Sequence, residues 1–272
     1  MKDIKWLILS VFISTLITLV FAYKKIKPLL NLDSPSSLHH QIKLIQYGYK
    51  AHLSNILAFL NYKADIFLVN FFLGPASTGV YIVAVQIAER LWMLSQAAGT
   101  ILLPHLSSLN QREDERAKIT PVVTRMVLFV TFLGAIFIAV IGFVLLHLLF
   151  GHKFRPSFAP LLLLLPGMVL GAASRILAND IASRGKPEIN MYSSLIVIIV
   201  NIIGNIVLIP EFGLSGAALA TSIAYSVNFG FRLLSYWLFT HARIKDVLII
   251  QPQDFFVLKA KLQNAIKPRG PS

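Results

Sequence analysis

The sequence predicts an all-α, polytopic integral membrane protein, and three observations support that fold class. The 272 residues are 56% hydrophobic and 14% charged, with a mean hydropathy of +0.71, whereas soluble domains are about 45 to 50% apolar and about 25% charged. Apolar runs of about 20 residues, the length of a membrane-crossing helix, recur along the chain. Within these runs the apolar residues are consecutive, as in residues 161–165, and do not alternate as in a membrane β-barrel.

Seven apolar runs follow one another along the chain, separated by polar or Gly/Pro-containing segments. They cover residues 6–23, 52–72, 78–103, 122–150, 158–181, 189–209 and 217–239. Residues 110–120 are rich in charge and are expected to form a solvated loop, and residues 182–188 a turn. A short amphipathic helix is expected over residues 38–47, after a helix-start signal at 33–36, and an interfacial helix over residues 254–266, anchored by Phe255 and Phe256.

These segments divide the chain into four parts. Residues 1–30 hold one transmembrane helix, 31–50 a cytoplasmic amphipathic connector, 51–240 six transmembrane helices, and 241–272 a basic cytoplasmic tail. The first run is interpreted as a spanning helix and not as a signal peptide, because it lacks a small-residue cleavage site and a basic cluster follows it.

The orientation follows from where the Lys and Arg residues lie. One set of alternate loops, together with the C-terminal tail, holds most of them, and the other set holds only Lys2, Lys5, Lys153 and Arg155. Because cytoplasmic loops carry the excess of Lys and Arg, the C-terminus is expected inside and, with seven spans, the N-terminus outside. The net charge of +13 is therefore assigned to these loops and not to a nucleic-acid partner. An outside N-terminus suggests that the chain begins inside a longer ancestor.

The most informative stretch is a helical hairpin over residues 51–109 that carries four charges at mid-membrane depth. Its first helix contains Lys63 and Asp65, and its second contains Glu89 and Arg90. A charge at the bilayer centre costs about 2.5 to 3.5 kcal/mol on insertion scales. These residues are therefore expected to face protein or water and not lipid.

Helical periodicity places these charges on distinct faces. Asn61 and Asp65 share one face of the first helix, and Lys63 lies on nearly the opposite face. One face is thus expected to pack on the bundle and the other to line a cavity. Two interpretations remain open: Asp65 pairs with Arg90 and Glu89 with Lys63 as purely structural contacts, or at least one cation is available for a ligand.

Several kinds of chemistry find no support in the sequence. There is no cysteine, which excludes disulfides, thiolate metal sites and Cys nucleophiles, and there is no phosphate-binding loop of the G-x-x-x-x-G-K-[ST] type. His39 and His40 are adjacent, whereas helical metal ligation needs a spacing of three or four. Neither a cofactor, a metal nor an enzymatic activity is expected.

Several short motifs carry a resemblance to a known family. They are Asp65 with Leu73-Gly74 and Gly79-Val80-Tyr81, the turn Gly185-Lys186-Pro187, and residues 201–210 followed by residues 213–218. With them, residues 47–236 resemble the C-terminal half of bacterial polysaccharide-biosynthesis membrane proteins. These are the lipid-linked oligosaccharide (O-antigen type) flippases of the multidrug/oligosaccharidyl-lipid/polysaccharide exporter superfamily.

The resemblance implies a transporter with two six-helix lobes that rock around a central cavity in the bacterial inner membrane. Residues 1–30 would then be the last helix of a first lobe that is otherwise missing, residues 51–240 would be the C-terminal lobe, and the missing N-terminal lobe would be the partner. The substrate would be an oligosaccharide on undecaprenyl pyrophosphate, used for polysaccharide, lipopolysaccharide or O-antigen biosynthesis.

The resemblance and the charges together suggest substrate-binding residues. Lys63 and Arg90 are expected to bind the anionic pyrophosphate, since guanidinium and ammonium groups replace part of its hydration. Arg175 is expected to meet the substrate on entry. The structural alternative for Arg175 is a pair with Asp180 or a position at the interface.

A second group of residues is suggested for coupling. Asp65, Asn61 and Glu89 are candidates for binding a cation or carrying a proton, because a carboxyl in low dielectric protonates readily. Two other functions remain open: a cation-coupled multidrug exporter of the same superfamily, with a more apolar or acidic cavity, and a non-transporting membrane remnant or scaffold. A membrane glycosyltransferase would need larger outside loops than this sequence has.

Overall fold

The computed structural model describes residues 2–29, 38–109, 112–251 and 254, and every regular element in those residues is a helix. The helices are α1 (Lys2–Ile26), α2 (Leu38–Glu89), α3 (Trp92–Ser108), α4 (Glu113–Phe150), α5 (Phe158–Ser183), α6 (Pro187–Thr240) and α7 (Ile244–Leu248), with short 3-10 helices at Lys27–Leu29 and His152–Ser157. Five of them are long and apolar enough to cross a membrane by length and composition. The protein is therefore an all-α polytopic membrane protein, as predicted.

The chain divides into two compact units, Met1–Gln46 and Tyr47–Ser272. The first unit contains α1, whose described side chains are exposed and mostly apolar, including Trp6 and Phe12 at 70% and 64% exposure. Such a surface suits a helix surrounded by lipid. The expected helix-start signal at residues 33–36 lies outside the described residues.

The helices α2 and α6 each reverse direction at a glycine. Gly74 has φ 78° and Gly213 has φ 57°, a backbone region that glycine adopts at no steric cost. Eight residues of straight helix span about 12 Å, yet the Thr78 hydroxyl lies 3.4 Å from the side-chain oxygen of Asn70. We call residues 38–73 and 75–89 the two arms of α2, and residues 187–212 and 214–240 the two arms of α6.

Counted by arms, the described helices supply seven apolar segments, because the second arm of α2 continues into α3 after a break at residues 90–91. The segments from Tyr47 onward form one bundle. At one end of it, Ser157 donates to the carbonyl oxygen of Val80 over 2.7 Å. At the other end, the Tyr47 hydroxyl donates to the carbonyl oxygen of Ala182 over 3.1 Å. The turn at 74 and the turn at 184–186 thus lie at opposite ends.

Residues 113–120 form the first two turns of α4, so the prediction of a solvated loop was wrong for them. Their charged side chains pair across helices. Arg116 is 1% exposed and donates to Ser183 over 2.7 Å, and Arg184 pairs with Glu113. A charged run can be helical when partners on a neighbouring helix satisfy it, and local sequence does not contain that information.

The amphipathic helix expected over residues 38–47 does not end there, because α2 continues from Leu38 to the turn at Gly74. The turn expected over residues 182–188 is confirmed, since α5 ends at Ser183 and α6 begins at Pro187. The interfacial helix expected over residues 254–266 lies outside the described residues, apart from Asp254.

A buried ion pair attaches the segment after α6 to α4. The Arg125 Nε donates to Asp254 over 2.5 Å, a second nitrogen of the same guanidinium also contacts that carboxylate, and a third donates to the backbone oxygen of Asp246. Burial opposes ionisation of Asp254, but its hydrogen bonds with Arg125 and Gln251 outweigh burial and lower its pKa. Bidentate pairs of this kind combine charge with fixed geometry.

Small residues let α5 approach the second arm of α6 closely. A Cβ atom added to Gly167 would lie 2.5 Å from the Cα of Ser222. Ala217, Ala218 and Ala220 are almost completely buried, as expected where helices pack in lipid. Elsewhere in the bundle, the helices α2, α3, α5 and α6 surround a cavity.

Candidate functional site

One cavity lies inside the Tyr47–Ser272 unit and has a volume of about 670 Å³. Its walls come from the first arm of α2, from α3 and α5, and from both arms of α6. Binding pockets for small molecules are typically about 300 to 1,000 Å³, so the cavity can hold a ligand of several rings or groups. We call it the inner cavity.

The inner cavity is cationic and rich in amides. Its polar lining consists of two arginines, five asparagines, two serines and two tyrosines: Arg175, Arg232, Asn55, Asn61, Asn179, Asn190, Asn228, Ser54, Ser194, Tyr47 and Tyr225. Within the described residues, its lining contains no carboxylate. This composition suits an anionic, hydrogen-bonding ligand better than a cationic one.

Arg175 is held against the indole of Trp92. Its guanidinium carbon lies 4.9 Å from the ring centroid, a cation–π geometry. Trp92 is in turn fixed, because its Nε1 donates to the carbonyl oxygen of Met168 over 2.9 Å and its ring packs edge-on against Tyr225. Arg175 is therefore pre-positioned by packing and keeps its N–H groups available.

Arg232 enters the inner cavity from the second arm of α6. One terminal nitrogen lies 3.1 Å from the Ser174 hydroxyl and 3.4 Å from the Ser174 carbonyl oxygen, and the buried Nε has no hydrogen-bond partner. The ion pairs among the described residues include neither Arg175 nor Arg232. Two guanidinium groups thus line one cavity without a paired acid.

A second cavity of about 400 Å³ adjoins the inner one at Trp92 and Arg175. Its other lining residues are Gln86, Glu89, Arg90, Met93 and Gln96, from the second arm of α2 and the start of α3. Arg90 is exposed, and Glu89 is half-buried and within electrostatic range of Arg175 and Arg90. We call it the outer cavity.

A buried polar cluster lies around Asp65, whose carboxylate is 5% exposed. It accepts hydrogen bonds from Asn205 Nδ2 and from the Thr221 hydroxyl, each over 2.9 Å. The Tyr81 hydroxyl lies 3.3 Å from that of Thr221. Asn201, one turn before Asn205, accepts from it over 3.0 Å. The cluster therefore joins α2 to both arms of α6.

Some hydrogen-bonding atoms of this cluster have no partner. Among the described residues, the side-chain oxygen of Asn205 and the side-chain nitrogen of Asn201 are buried and lack one, as does the side-chain oxygen of Asn61, one turn before Asp65 on α2. Unsatisfied buried polar atoms are uncommon in native proteins and call for an explanation such as an ion. Asn61 lines the inner cavity, so this cavity extends to within one helical turn of Asp65.

The structure separates the six residues proposed from the sequence into four groups. Arg90 and Glu89 line the outer cavity, Arg175 lines both cavities, Asn61 and Asp65 are buried one turn apart on α2, and Lys63 forms a group of its own. Lys63 is exposed, with its ammonium 5.6 Å from the ring centroid of Phe59. It lines neither cavity. The face with Asp65 is buried in the bundle, as predicted, but the prediction that the opposite face lines a cavity is not met at Lys63.

The structural pairings considered for these charges were wrong in part. Asp65 is bound by Asn205 and Thr221, and no ion pair joins it to Arg90 in the described part of the chain. Asp180 does not pair with Arg175. It pairs with Arg184 over 2.5 Å and accepts from Thr120. Packing of neighbouring helices supplies these partners, and one helix alone does not predict them.

Arg232, Asn201, Asn205 and Thr221 were not proposed as site residues from the sequence, although Asn201 and Asn205 lie in the motif at residues 201–210. Arg232 lies inside an apolar run, and an ionisable residue in such a run is the same signal that pointed to Arg175. The asparagines lie four residues apart on one face of α6. The hydrogen bond from Asn205 to Asp65 spans 140 residues of sequence, so no local pattern contains it.

The fold is similar to that of solved transporters. The lipid II flippase MurJ, in an inward closed conformation, superposes with a TM-score of 0.63 at 17% identity, over 79% of this chain and 46% of that chain. The MATE transporter VcmN of Vibrio cholerae, in its bent form, superposes with a TM-score of 0.60 at 17% identity, over 82% of this chain and 52% of that chain. Both similarities concern the fold alone.

Sequence comparison adds a curated relative and a family. A protein described as a "probable low-salt glycan biosynthesis flippase" of Haloferax volcanii is 26% identical over 83% of this chain. The chain covers 48% of that relative, about half its length. The family described as "Polysaccharide biosynthesis protein" matches residues 4–159, more than half of the chain. The chain therefore belongs to the polysaccharide biosynthesis protein family, and its fold is that of the transporters of the multidrug/oligosaccharidyl-lipid/polysaccharide superfamily.

Proposed function

We propose that this lobe takes part in flipping a lipid-linked oligosaccharide, carried on undecaprenyl pyrophosphate, for polysaccharide or O-antigen (lipopolysaccharide) biosynthesis. The outer cavity is the observation that supports it most: it presents Arg90 and Arg175 together with a single acid, Glu89. A pyrophosphate cannot cross hydrocarbon unaided, and guanidinium groups replace its hydration with bidentate hydrogen bonds. The curated relative and the solved structure with a similar fold are both described as flippases, which supports a transport function for this chain and not an enzymatic one.

Alternating access supplies the mechanism in this proposal. The exposed polar side chains Lys63, Gln86, Arg90 and Gln96 are costly against lipid, which favours a second transmembrane lobe as their neighbour. Rocking of the two lobes would open the cavity between them to each side in turn. The substrate headgroup would bind Arg90 and Arg175. Lys63, which is exposed on the first arm of α2, would contribute a third cation.

The cluster around Asp65 is proposed as the coupling site. A single carboxylate surrounded by amide and hydroxyl oxygens is the donor set for a hard monovalent cation such as Na⁺, and the two amide oxygens without partners support it. Because Asn205 and Thr221 lie on different arms of α6, a bound cation would hold these arms to α2. Glu89, in the outer cavity, is the second carboxyl proposed to respond to the coupling ion or to a proton.

Replacement of Arg90 tests the proposed function. In cells whose surface glycan depends on this protein, Arg90→Ala is expected to reduce glycan export at least about 30-fold, since losing hydrogen bonds to a charged group costs about 2 kcal/mol or more. Arg90→Lys should restore export in part, because a point cation lacks the bidentate fork. Surface glycan on a gel, normalised to protein in the membrane, is the measurement.

Arg155→Ala is the matched control for Arg90→Ala. Arg155 lies in the 3-10 helix His152–Ser157, away from both cavities, so its loss should change export less than about twofold. Full export by Arg90→Ala in a correctly inserted protein would contradict a headgroup role for the outer cavity.

A cation-coupled multidrug exporter is the rival function, and the fold shared with VcmN suits it as well. A site for cationic drugs needs acidic or apolar walls. The lining of the two cavities instead holds three arginines and one carboxyl among the described residues. A third possibility, a non-transporting scaffold, predicts that no cavity variant changes glycan export.

A multi-pass position in the bacterial inner membrane with a cytoplasmic C-terminus is proposed from the charge asymmetry of the loops. Because the chain contains no cysteine, single cysteines at the exposed positions Ala76 and Glu115 report the two ends of the bundle. Ala76→Cys should react with an impermeant maleimide added to intact cells, and Glu115→Cys only after permeabilisation. Reaction of Glu115→Cys in intact cells would reverse the proposed orientation.

A further inference from the structure

We propose that the inner cavity is a glycosyl phosphate site within this single lobe, in which Arg175 and Arg232 bind the phosphate and the amide-rich wall binds the sugar. The inference rests on the proposed function. It adds a site inside the bundle that adjoins the outer cavity at Trp92 and Arg175. Arg232, which the outer cavity does not include, is its distinguishing residue.

The charge of the lining is the first argument. Arg175 and Arg232 both line the inner cavity, lie within electrostatic range of each other, and take part in no ion pair among the described residues, although Glu89 in the outer cavity is within electrostatic range of Arg175. Two like charges in a poorly solvated space repel each other and each lose hydration. An anion bound between the guanidinium groups removes both costs, and a phosphate ester carries up to two negative charges.

The unsatisfied donors of Arg232 are the second argument. A guanidinium has five N–H donors in a planar fork, and the contacts of Arg232 within the described residues go only to Ser174. Its Nε is buried without a partner. Because Nε has no accessible surface, the terminal N–H groups are the donors that we assign to the phosphate oxygens.

The remaining wall is the third argument, because it suits a sugar. Five asparagine side chains and two serine hydroxyls provide both donors and acceptors around one space, as sugar hydroxyls require. Trp92 and Tyr225 add two aromatic rings with centroids 5.3 Å apart, and such rings pack against the apolar faces of sugars. The volume of about 670 Å³ accommodates a phosphorylated sugar.

Binding of glucose 1-phosphate to the purified full chain tests the inference. Trp6→Phe and Trp237→Phe leave Trp92 as the one tryptophan, so its fluorescence reports the cavity in phosphatidylcholine nanodiscs. We expect saturable binding that Arg232→Gln and Arg175→Gln each weaken at least about tenfold, and Asn55→Ala about threefold, because hydrogen bonds to charged groups contribute more than neutral ones.

Matched controls separate the site from general effects. Arg155→Gln and Asn70→Ala change the same residue types outside the inner cavity and should leave the affinity within about twofold. Helicity by circular dichroism checks that each variant is folded. Unchanged affinity in folded Arg232→Gln and Arg175→Gln would overturn the inference, and so would the absence of any saturable signal from the parent chain.

The identity of the ligand is tested by competition. Inorganic phosphate and glucose should each bind at least about tenfold more weakly than glucose 1-phosphate, since each offers only half of the contacts. Equal binding by either one would overturn the glycosyl phosphate assignment. Replacing phosphatidylcholine by phosphatidylglycerol should leave the affinity within about twofold. A loss of tenfold or more would assign the cavity to a phospholipid headgroup and overturn the inference.

The outcomes for this site and for the proposed function are distinguishable. No glucose 1-phosphate binding by the purified chain, together with lost export in Arg90→Ala, would overturn the inner site and leave the flippase proposal in place. Binding abolished by Arg232→Gln, together with full export in Arg90→Ala, would support the inner site and contradict the headgroup role of the outer cavity.

Discussion

Asp65→Asn is expected to abolish the response of the protein to sodium and to reduce glycan export at least about 30-fold. The substitution keeps the size of the side chain but removes the one negative charge of the buried cluster, and a cation held by neutral amide and hydroxyl oxygens alone is poorly compensated. A ligand at 100 times its Kd stabilises the folded state by about 2.7 kcal/mol. This stabilisation by sodium is measured as the midpoint temperature of thermal unfolding in sodium chloride, compared with the midpoint in choline chloride, for the parent and for Asp65→Asn.

Two variants serve as controls for Asp65→Asn. Glu115→Gln removes an equivalent charge at an exposed position and should retain the sodium response. Thr221→Ser keeps the hydroxyl that donates to Asp65 and should retain most of it. A sodium response that survives Asp65→Asn would contradict the coupling site. A parent protein whose stability follows pH but not sodium would favour a proton at Asp65 instead.

Gly216→Ala is expected to destabilise the protein by about 3 kcal/mol or more, at the upper end of the range for overpacked sites. An added Cβ would lie 2.0 Å from the carbonyl oxygen of Leu208 and 3.0 Å from the backbone nitrogen of Ile209. Both are backbone atoms of the opposite arm of α6, so the reversal at Gly213 must widen to accept a methyl group. Thermal unfolding followed by circular dichroism is the measurement.

Gly230→Ala is the matched control. Gly230 lies on the same arm of α6 as Gly216, and its replacement is expected to stabilise the folded protein instead of destabilising it. A Cβ at Gly230 meets no atom within 4 Å, and alanine is favoured over glycine inside a helix by about 0.5 to 1 kcal/mol. The variant should therefore unfold at a slightly higher temperature. Equal stability of Gly216→Ala and the parent would show that the two arms are not in close contact.

Much of the fold could be predicted because it depends on local sequence. Apolar runs of membrane length predict the helices, and Gly74 and Gly213 lie in the turns that were expected between them. Helical periodicity also separated Asp65 from Lys63, and the structure has one buried and the other exposed. These properties follow from residues within two or three turns of each other.

The candidate site was predicted less completely, since it is assembled across helices. Arg175 was identified because an arginine is rare inside an apolar run. Its partner was not Asp180, because Arg184 and Thr120 satisfy that carboxylate. Arg232 belongs with Arg175 in one cavity only because α5 packs on the second arm of α6.

The apolar runs and helical period of the sequence predicted a helical membrane protein with charges at a depth where lipid does not tolerate them, and its motifs pointed to polysaccharide-biosynthesis membrane proteins, the family to which the chain belongs. The tertiary structure decided which groups share a space: Asp65 with Asn205 and Thr221, and Arg175 with Arg232. The physical reason is that hydrophobicity and helical period act over neighbouring residues, whereas a polar group in a membrane is satisfied by whichever helix packs against it.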